Sequence, residues 1–305
     1  MSGYNSAIIR FMILVTGATG FLGTAVVERL LNINNPTRLL IRPKKESPNL
    51  IHGIPLDISV AALDDPRGLR AAMKNVKTIF HFATAEQEWP EVDLEEVDVN
   101  GTENIILSAR EAGVKKILFF SRVGADKNSS YPVLRSKSLC EELIIQSGLS
   151  YTIIRLTDIY GKNDHFTNTI ASSLKYSPGF YPLPGGGKTL LQPLWLEDIL
   201  AIITLIMEKD FFDNRVIEIG GGEYFNFSTI VKLISEKINK KRIFLSISSA
   251  YLRILNLWVK PYKKSFPLAT LWLDLLAVNR ICSLDSMSRS FNMLPVRFST
   301  HLDHF

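Results

Sequence analysis

Three glycines in residues 17–23 constrain the fold of this chain more than any other feature. Residues 12–16 have the apolar pattern of a buried strand, and residues 21–32 have the spacing of an amphipathic helix. A strand, a glycine turn and a helix in this order predict a dinucleotide site, because the glycines let the backbone approach a pyrophosphate at the helix N terminus. The residues expected to form this site are Gly17, Thr19, Gly20, Phe21, Leu22 and Gly23.

The alternation of strand and helix patterns continues to about residue 160. Strands are predicted at 38–42, 53–56, 78–82, 116–121 and 151–155, and helices at 66–74, 100–112 and 133–146. Strands separated by helices predict an α/β fold with a doubly wound parallel sheet, the Rossmann fold. We therefore expect an NAD(P)-binding domain over residues 12–160 and a smaller C-terminal substrate lobe over 161–305. Within that lobe, about 190–220 is expected to return to the main sheet.

Composition excludes several classes of protein. The formal net charge of +5 is small and dispersed, so the sequence predicts no nucleic-acid partner. The two cysteines, Cys140 and Cys282, lack the spacing of metal ligands or of a disulfide framework, so no metal site is expected. Reduced cysteines, with no apolar run that resembles a signal peptide or a membrane span, predict a cytoplasmic protein.

The end of the second strand bears on the choice of cofactor. NAD-binding folds usually place an acid there to accept from the ribose 2′-hydroxyl, but this strand ends with Ile41, Arg42 and Pro43, followed by two lysines. An arginine at this position pairs with a 2′-phosphate, so NADP(H) is favoured over NAD(H). The alternative is that Arg42 belongs to a solvated basic loop.

Several motifs together resemble the extended and atypical short-chain dehydrogenase/reductase superfamily, which includes epimerases and dehydratases. They are TGATGFLG from residue 16, HFATA from residue 81, DVNGTEN from residue 98, FFSRVGA from residue 119 and the segment 135–155. The resemblance covers roughly residues 12–219. It implies that Asp57 and Ile58 border the adenine, that Phe82, Ala83 and Thr84 line the cofactor, and that Ser121 and Lys137 approach the nicotinamide.

The catalytic tyrosine expected from this resemblance is displaced. In active members a tyrosine four residues before the lysine transfers the proton, because positions i and i+4 share one helix face. Val133 stands four residues before Lys137, and the nearest tyrosine is Tyr131. Because Pro132 follows it, Tyr131 is expected just outside the helix. Tyr131 is either a displaced acid/base or a packing residue.

Two further polar residues are interpreted as structural. His81 ends an apolar strand and is expected to pack in the core rather than to act as an acid or base. Asp198 is expected to tie the second lobe to the sheet.

Two functions fit these residues. The first is an NADP(H)-dependent oxidoreductase or epimerase acting on a small hydroxyl, carbonyl or nucleotide-sugar substrate. The alternative is a low-turnover cofactor-binding protein, similar to NmrA-like redox regulators or to the nucleotide-binding accessory subunit of respiratory complex I. The many large apolar residues of 251–281 indicate a protein-partner surface, a peripheral membrane contact or simply packing of the second lobe.

Overall fold

The computed structural model describes residues 11–43, 56–258 and 270–302, and a seven-stranded parallel sheet forms its centre. The strands are β1 (Met12–Thr16), β2 (Thr37–Ile41), β3 (Asp57–Val60), β4 (Val76–His81), β5 (Lys116–Arg122), β6 (Ser150–Leu156), β7 (Ile159–Tyr160), β8 (Phe180–Pro184), β9 (Leu190–Leu191), β10 (Leu194–Trp195), β11 (Arg215–Ile219), β12 (Phe225–Asn226) and β13 (Ile243–Ile247). In the main sheet they follow the order β11-β6-β5-β4-β1-β2-β3. This order reverses direction at β1, as in a doubly wound fold, so the predicted fold class is confirmed.

Helices cover both faces of the sheet and build the C-terminal lobe. They are α1 (Phe21–Asn32), α2 (Pro66–Ala72), α3 (Asn100–Glu111), α4 (Pro132–Gln146), α5 (His165–Tyr176), α6 (Leu196–Glu208), α7 (Phe227–Lys237), α8 (Ser249–Trp258), α9 (Thr270–Leu275) and α10 (Ser286–Phe291). Successive β1 residues face opposite layers: Ile13 and Val15 belong to one apolar core and Leu14 to the other. This alternation is the reason for the continuous apolar strands of the sequence.

One predicted strand was placed too early. A strand was expected at 53–56, but residues 53–55 lie outside the described residues and the observed strand β3 begins at Asp57. β3 is the edge strand beside β2 and most of its residues are exposed, so polar Asp57 and Ser59 alternate with Ile58 and Val60. An edge strand of this kind lacks the apolar run used to find the buried strands.

The late part of the chain returns to the main sheet and then packs the second lobe. β11 pairs with β6 in parallel, and α5 and α7 share a separate apolar core. The apolar segment 251–281 contains most of α8 and all of α9, while 259–269 lies outside the described residues. In α9, Leu271, Leu273 and Leu275 are buried, so packing explains the apolar residues of this helix.

Candidate functional site

The glycine turn between β1 and α1 forms an open cradle at the carboxyl end of the sheet. Gly17 has a φ of +68°, and a Cβ there would lie 2.6 Å from the Ala83 nitrogen. A Cβ on Gly23 would lie 2.2 Å from the Gly17 carbonyl oxygen. Both positions therefore need glycine for the protein's own packing. At Gly20 a Cβ would meet the Gly17 carbonyl oxygen at 3.3 Å, a tight contact on one side, and would otherwise face the open cleft.

A cleft of about 1160 Å³ runs from this cradle across the carboxyl ends of the strands. Its size suits a dinucleotide together with a second small molecule. The structure brings most of the predicted site residues into the lining of this one cleft. They are Gly17, Thr19, Gly20, Phe21, Leu22, Gly23, Arg42, Phe82, Ala83, Thr84, Ser121 and Lys137.

Asp57 and Ile58, which were predicted to border the adenine, do not line this cleft. Both residues lie at the start of β3, where Asp57 pairs with Arg38 at 2.9 Å. In a parallel sheet the ligand lies at the carboxyl ends of the strands, and the cleft is lined there by Ala61, Ala62, Leu63 and Asp64 instead. The difference follows from the early placement of this strand.

Arg42 follows the last residue of β2 and lines the cleft, as the sequence predicts. Its guanidinium is half exposed and pairs with Glu88 Oε1 at 2.9 Å. A guanidinium at this position is available to a ribose phosphate that displaces the carboxylate.

Lys137 lies buried at the other end of the cleft. Its Nζ is 4.0 Å from Asp98 Oδ2 and 5.5 Å from the centre of the Phe119 ring. Asp98 also accepts hydrogen bonds from the Thr84 hydroxyl and, at 2.7 Å, from the Ala85 nitrogen. Burial raises the pKa of Asp98, and the charge of Lys137 opposes that shift. The lysine is thereby held beside the loop that follows β4.

Ser121 presents an unpartnered hydroxyl to the same end of the cleft. Its Oγ is buried and has no hydrogen-bond partner among the residues that the structure describes. A buried hydroxyl without a partner is costly, so this atom indicates a place where a bound molecule supplies the missing hydrogen bond. The open glycine cradle, Arg42, Lys137 and Ser121 together fit a nicotinamide dinucleotide.

The structure does not bring Tyr131 to this end. Tyr131 has extended backbone angles and caps α4, which begins at Pro132, so it stands just outside the helix as the sequence predicts. The described lining of the cleft contains no tyrosine, so a role for Tyr131 as a displaced acid/base stays a prediction. Val133 occupies the position one helical turn before Lys137. It is buried among Ala85, Leu94, Leu271 and Leu275.

A buried network of charges, which sequence reasoning missed, borders the cleft beyond Ser121. Arg122 donates to Glu86 at 2.7 and 3.1 Å, and Arg280 donates to both carboxylate oxygens of Asp158 at 3.0 and 3.1 Å. Arg122 and Asp158 are 3.9 Å apart, which joins the two pairs. Burial opposes ionisation of Glu86, but Arg122 lowers its pKa to about 2. Only the adjacency of Arg122 to Ser121 could have suggested this network from the sequence.

The two residues interpreted as structural behave as expected. His81 is buried, with Nδ1 2.6 Å from Thr16 Oγ1 and Nε2 3.1 Å from Thr102 Oγ1. Burial, aided by the charge of Lys137, lowers the pKa of His81 to about 3 and keeps the imidazole neutral. Asp198 Oδ2 accepts from the Val296 nitrogen at 2.8 Å and so ties α6 to the C-terminal segment.

The fold and the cleft define a doubly wound α/β protein of the Rossmann type with an open glycine cradle at the carboxyl end of its sheet. A model of the NAD(P)H-binding family matches residues 17–175, which is more than half of the chain. The chain therefore belongs to the NAD(P)H-binding family.

Curated relatives include proteins named as a subunit of a larger complex and as an assembly factor. The chain is 26% identical over 245 residues to NADH dehydrogenase [ubiquinone] 1 alpha subcomplex subunit 9, mitochondrial, of Arabidopsis thaliana, covering 78% of this chain and 61% of the relative. It is 32% identical to photosystem II assembly factor Ycf39 of Cyanophora paradoxa, covering 48% of this chain and 46% of the relative. A third relative is sterol demethylase protein B of Methylococcus capsulatus, at 26% identity, covering 83% of this chain and 82% of the relative. The chain spans less than two thirds of the length of the first three curated relatives.

Solved structures with the same fold include enzymes of the epimerase type. UDP-glucose 4-epimerase of Thermus thermophilus, in complex with NAD, has a TM-score of 0.69 at 19% identity, covering 94% of this chain and 95% of the other. A nucleoside-diphosphate-sugar epimerase of Staphylococcus aureus has a TM-score of 0.74 at 16% identity, covering 93% and 97%. At these identities the likeness concerns the fold alone. No helix in the described ranges is long and apolar enough to cross a membrane.

Proposed function

We propose that this chain is an NADP(H)-binding accessory or assembly protein that holds its cofactor without tyrosine-dependent proton transfer. The proposal rests on the difference, within one cleft, between the residues expected to bind the cofactor and the position expected to hold a catalytic tyrosine. The glycine cradle, Arg42 and Lys137 are in place, whereas the position one turn before Lys137 is Val133, packed under α9. Relatives named as a complex I subunit and as a photosystem II assembly factor support the same interpretation.

Within this proposal each end of the cleft binds a different part of the cofactor. The cradle of Gly17, Gly20 and Gly23 binds the pyrophosphate, and Arg42 pairs with the 2′-phosphate in place of Glu88. Lys137 holds the nicotinamide ribose while Asp98 fixes its position. When bound, NADP(H) supplies a hydride donor or acceptor. The apolar side chains of Leu271, Trp272 and Leu275 line the opposite wall and restrict water there.

An oxidoreductase or epimerase is the second candidate, and one observation favours it. The Ser121 hydroxyl is buried, lines the cleft and lacks a partner among the described residues, as a group that awaits a substrate carbonyl or hydroxyl would be. Under this candidate, a small hydroxyl, carbonyl or nucleotide-sugar substrate bonds to Ser121. Water, rather than a tyrosine, then exchanges the proton.

Three variants of the cleft separate the two candidates. We expect wild type to bind NADPH by calorimetry but to show no turnover with carbonyls, alcohols or nucleotide sugars. Val133→Tyr places a phenol at i, i+4 from Lys137, and Val133→Phe is its control because it adds the ring without the hydroxyl. Both should cost about 1–3 kcal/mol of unfolding free energy, since the site is already filled. Gly20→Val should abolish NADPH binding with an unchanged circular dichroism spectrum.

The two candidates give opposite results with these proteins and with a fourth variant, Ser121→Ala. Turnover by wild type that Ser121→Ala removes, with NADPH affinity unchanged, would contradict the accessory function and establish the enzyme. Activity that appears in Val133→Tyr but not in Val133→Phe would show that proton transfer is the missing step. Normal NADPH binding by Gly20→Val would refute the cradle itself.

A further inference from the structure

An apolar surface with a basic border lies on the small sheet of the C-terminal lobe. β8 and β13 pair in parallel, with Phe180 opposite Ile243 and Pro182 opposite Leu245. Side chains in register on a parallel pair project to one side. Phe180, Ile243 and Leu245 are 46, 68 and 41% exposed, whereas Tyr181 on the other side is buried. This two-stranded sheet therefore presents its outer apolar side to solvent.

The end of α5 is joined to this sheet and extends the surface. Arg242 Nε donates to the Leu174 carbonyl oxygen at 3.1 Å and to Ser177 Oγ at 2.9 Å. These bonds place Tyr176, which is 88% exposed, next to the start of β13. We call the whole surface the basic-apolar face. It comprises Lys175, Tyr176, Phe180, Lys240, Lys241, Arg242, Ile243 and Leu245.

The net positive charge of the chain is concentrated in the two segments that form this face. Residues 172–188 and 237–248 contain six lysines and arginines and no acidic residue. The rest of the chain has 29 basic and 30 acidic residues, so the whole positive excess belongs to these two segments. The acid that precedes Lys237, Glu236, pairs with Lys232. Over the ranges that the structure describes, no carboxylate pairs with Lys240, Lys241 or Arg242.

We propose that the basic-apolar face binds the surface of a bilayer that contains anionic lipids. Lipid phosphates would pair with the lysines, while Tyr176, Phe180, Ile243 and Leu245 enter the interface to a shallow depth. A nucleic acid would use the charges but would leave Ile243 and Leu245 in water. The face carries four basic residues and no acidic one, which matches a uniformly negative surface better than a protein surface of mixed charge. The proposed contact lies outside 270–281, where α9 is packed.

Vesicle co-sedimentation tests the charge complementarity. The full chain, loaded with NADPH, is mixed with vesicles of phosphatidylcholine alone or of phosphatidylcholine with phosphatidylglycerol. We expect binding only to the anionic vesicles and a decrease as NaCl increases. The double variant Lys240→Glu with Lys241→Glu should weaken binding by about tenfold or more. Lys74→Glu with Lys77→Glu is the matched control, because it makes the same change of net charge on exposed lysines at α2 and β4.

A second pair of variants tests the apolar contribution. Ile243→Ser with Leu245→Ser should also weaken binding to anionic vesicles by about tenfold, because two exposed aliphatic side chains no longer enter the interface. NADPH affinity and circular dichroism should stay unchanged, since these residues do not line the described cleft.

Several outcomes would overturn the proposal. These are absent binding to anionic vesicles, equal binding to neutral ones, insensitivity to NaCl, or an equal loss in the Lys74/Lys77 control. A wild-type dimer in light scattering that Ile243→Ser with Leu245→Ser dissociates would assign the face to contact between two copies. The NaCl series uses wild type, so it tests the role of charge in vesicle binding even if a variant misfolds. Either result leaves the function proposed for the cleft untouched.

Discussion

Under the proposed function, Arg42 is the residue on which the choice between the two nicotinamide cofactors depends. It stands where the second strand of the sheet ends, and its present partner is Glu88. Because both side chains are about half exposed, this ion pair contributes little stability and a 2′-phosphate can displace it. The ribose 2′-hydroxyl of NADH carries no charge, so it does not compete with Glu88 for Arg42.

This difference can be measured with two single variants. Arg42→Ala should weaken NADPH binding by about 10- to 150-fold, since a charge-assisted hydrogen bond contributes about 1.5–3 kcal/mol, and should barely alter NADH binding. Glu88→Gln should tighten NADPH a few-fold by freeing the guanidinium. Fluorescence titration with both cofactors gives the four affinities. If wild type binds NADPH and NADH equally, Arg42 belongs to a solvated loop and the assignment to NADP(H) fails.

At the residue level, local spacing decided what the sequence could predict. The glycines of the cradle were identified because a strand, a turn and a helix occur within one short segment. Arg280 and Asp158 were missed because they are 122 positions apart in the chain and meet only through the packing of the second lobe. No periodicity signals a pair of that kind.

At the scale of elements, edge and centre of the sheet differ in how well sequence predicts them. The central strands β1, β4, β5 and β6 were placed to within a few residues because both of their faces are buried. The edge strand β3 was misplaced, so Asp57 and Ile58 were predicted at the cofactor although they stand at the start of β3 and do not line the cleft. The start of α4 was close to its predicted place because Pro132 fixes the backbone there.

His81 joins three elements and makes their packing sensitive to pH. Thr102 Oγ1 donates to the Asp98 carbonyl oxygen, so it accepts from His81 Nε2, while Nδ1 accepts from Thr16. This arrangement of β1, β4 and α3 needs a neutral imidazole. With its pKa lowered to about 3 in the fold, His81 gains a proton on unfolding at any pH between about 3 and 6.5.

Stability should therefore fall as the pH falls through this range. From pH 6.5 to 5.5 the contribution of His81 should decrease the free energy of unfolding by about 1 kcal/mol. Urea denaturation of wild type and of His81→Asn at both pH values checks this. The variant keeps hydrogen-bonding groups near both threonines but cannot titrate, so its pH dependence should be shallower. Parallel curves for the two proteins would mean that His81 is protonated in the fold.

At the scale of the whole molecule, Arg280 fastens the late segment of the chain to the central sheet. It is 1% exposed, pairs with Asp158 after β6 and donates to the Leu275 carbonyl oxygen at the end of α9. Its backbone nitrogen donates to the Leu190 carbonyl oxygen at 2.9 Å. Removing this side chain would leave a buried carboxylate beside Arg122 alone.

The cost of that removal should be large. Arg280→Met should lower the free energy of unfolding by about 3–5 kcal/mol, because Asp158 loses its buried partner. Arg289→Met is the control: Arg289 faces Asp285 at 4.0 Å in an exposed pair, and its loss should cost less than about 1 kcal/mol. Adding Asp158→Asn to Arg280→Met should restore part of the stability, as denaturant titration would show. Equal costs for the two arginines would refute the role of the buried pair.

The position of α9 in the chain has a consequence for biosynthesis. A ribosome releases the cradle of residues 17–23 early, and the sheet up to β6 can form while synthesis continues. The wall made by Leu271, Trp272 and Leu275 emerges more than a hundred residues after β6. Under the proposed function, a nascent chain that stops short of α9 holds the phosphates of the dinucleotide but lacks one wall around its nicotinamide end. Full retention of the nucleotide thus distinguishes finished molecules from truncated ones.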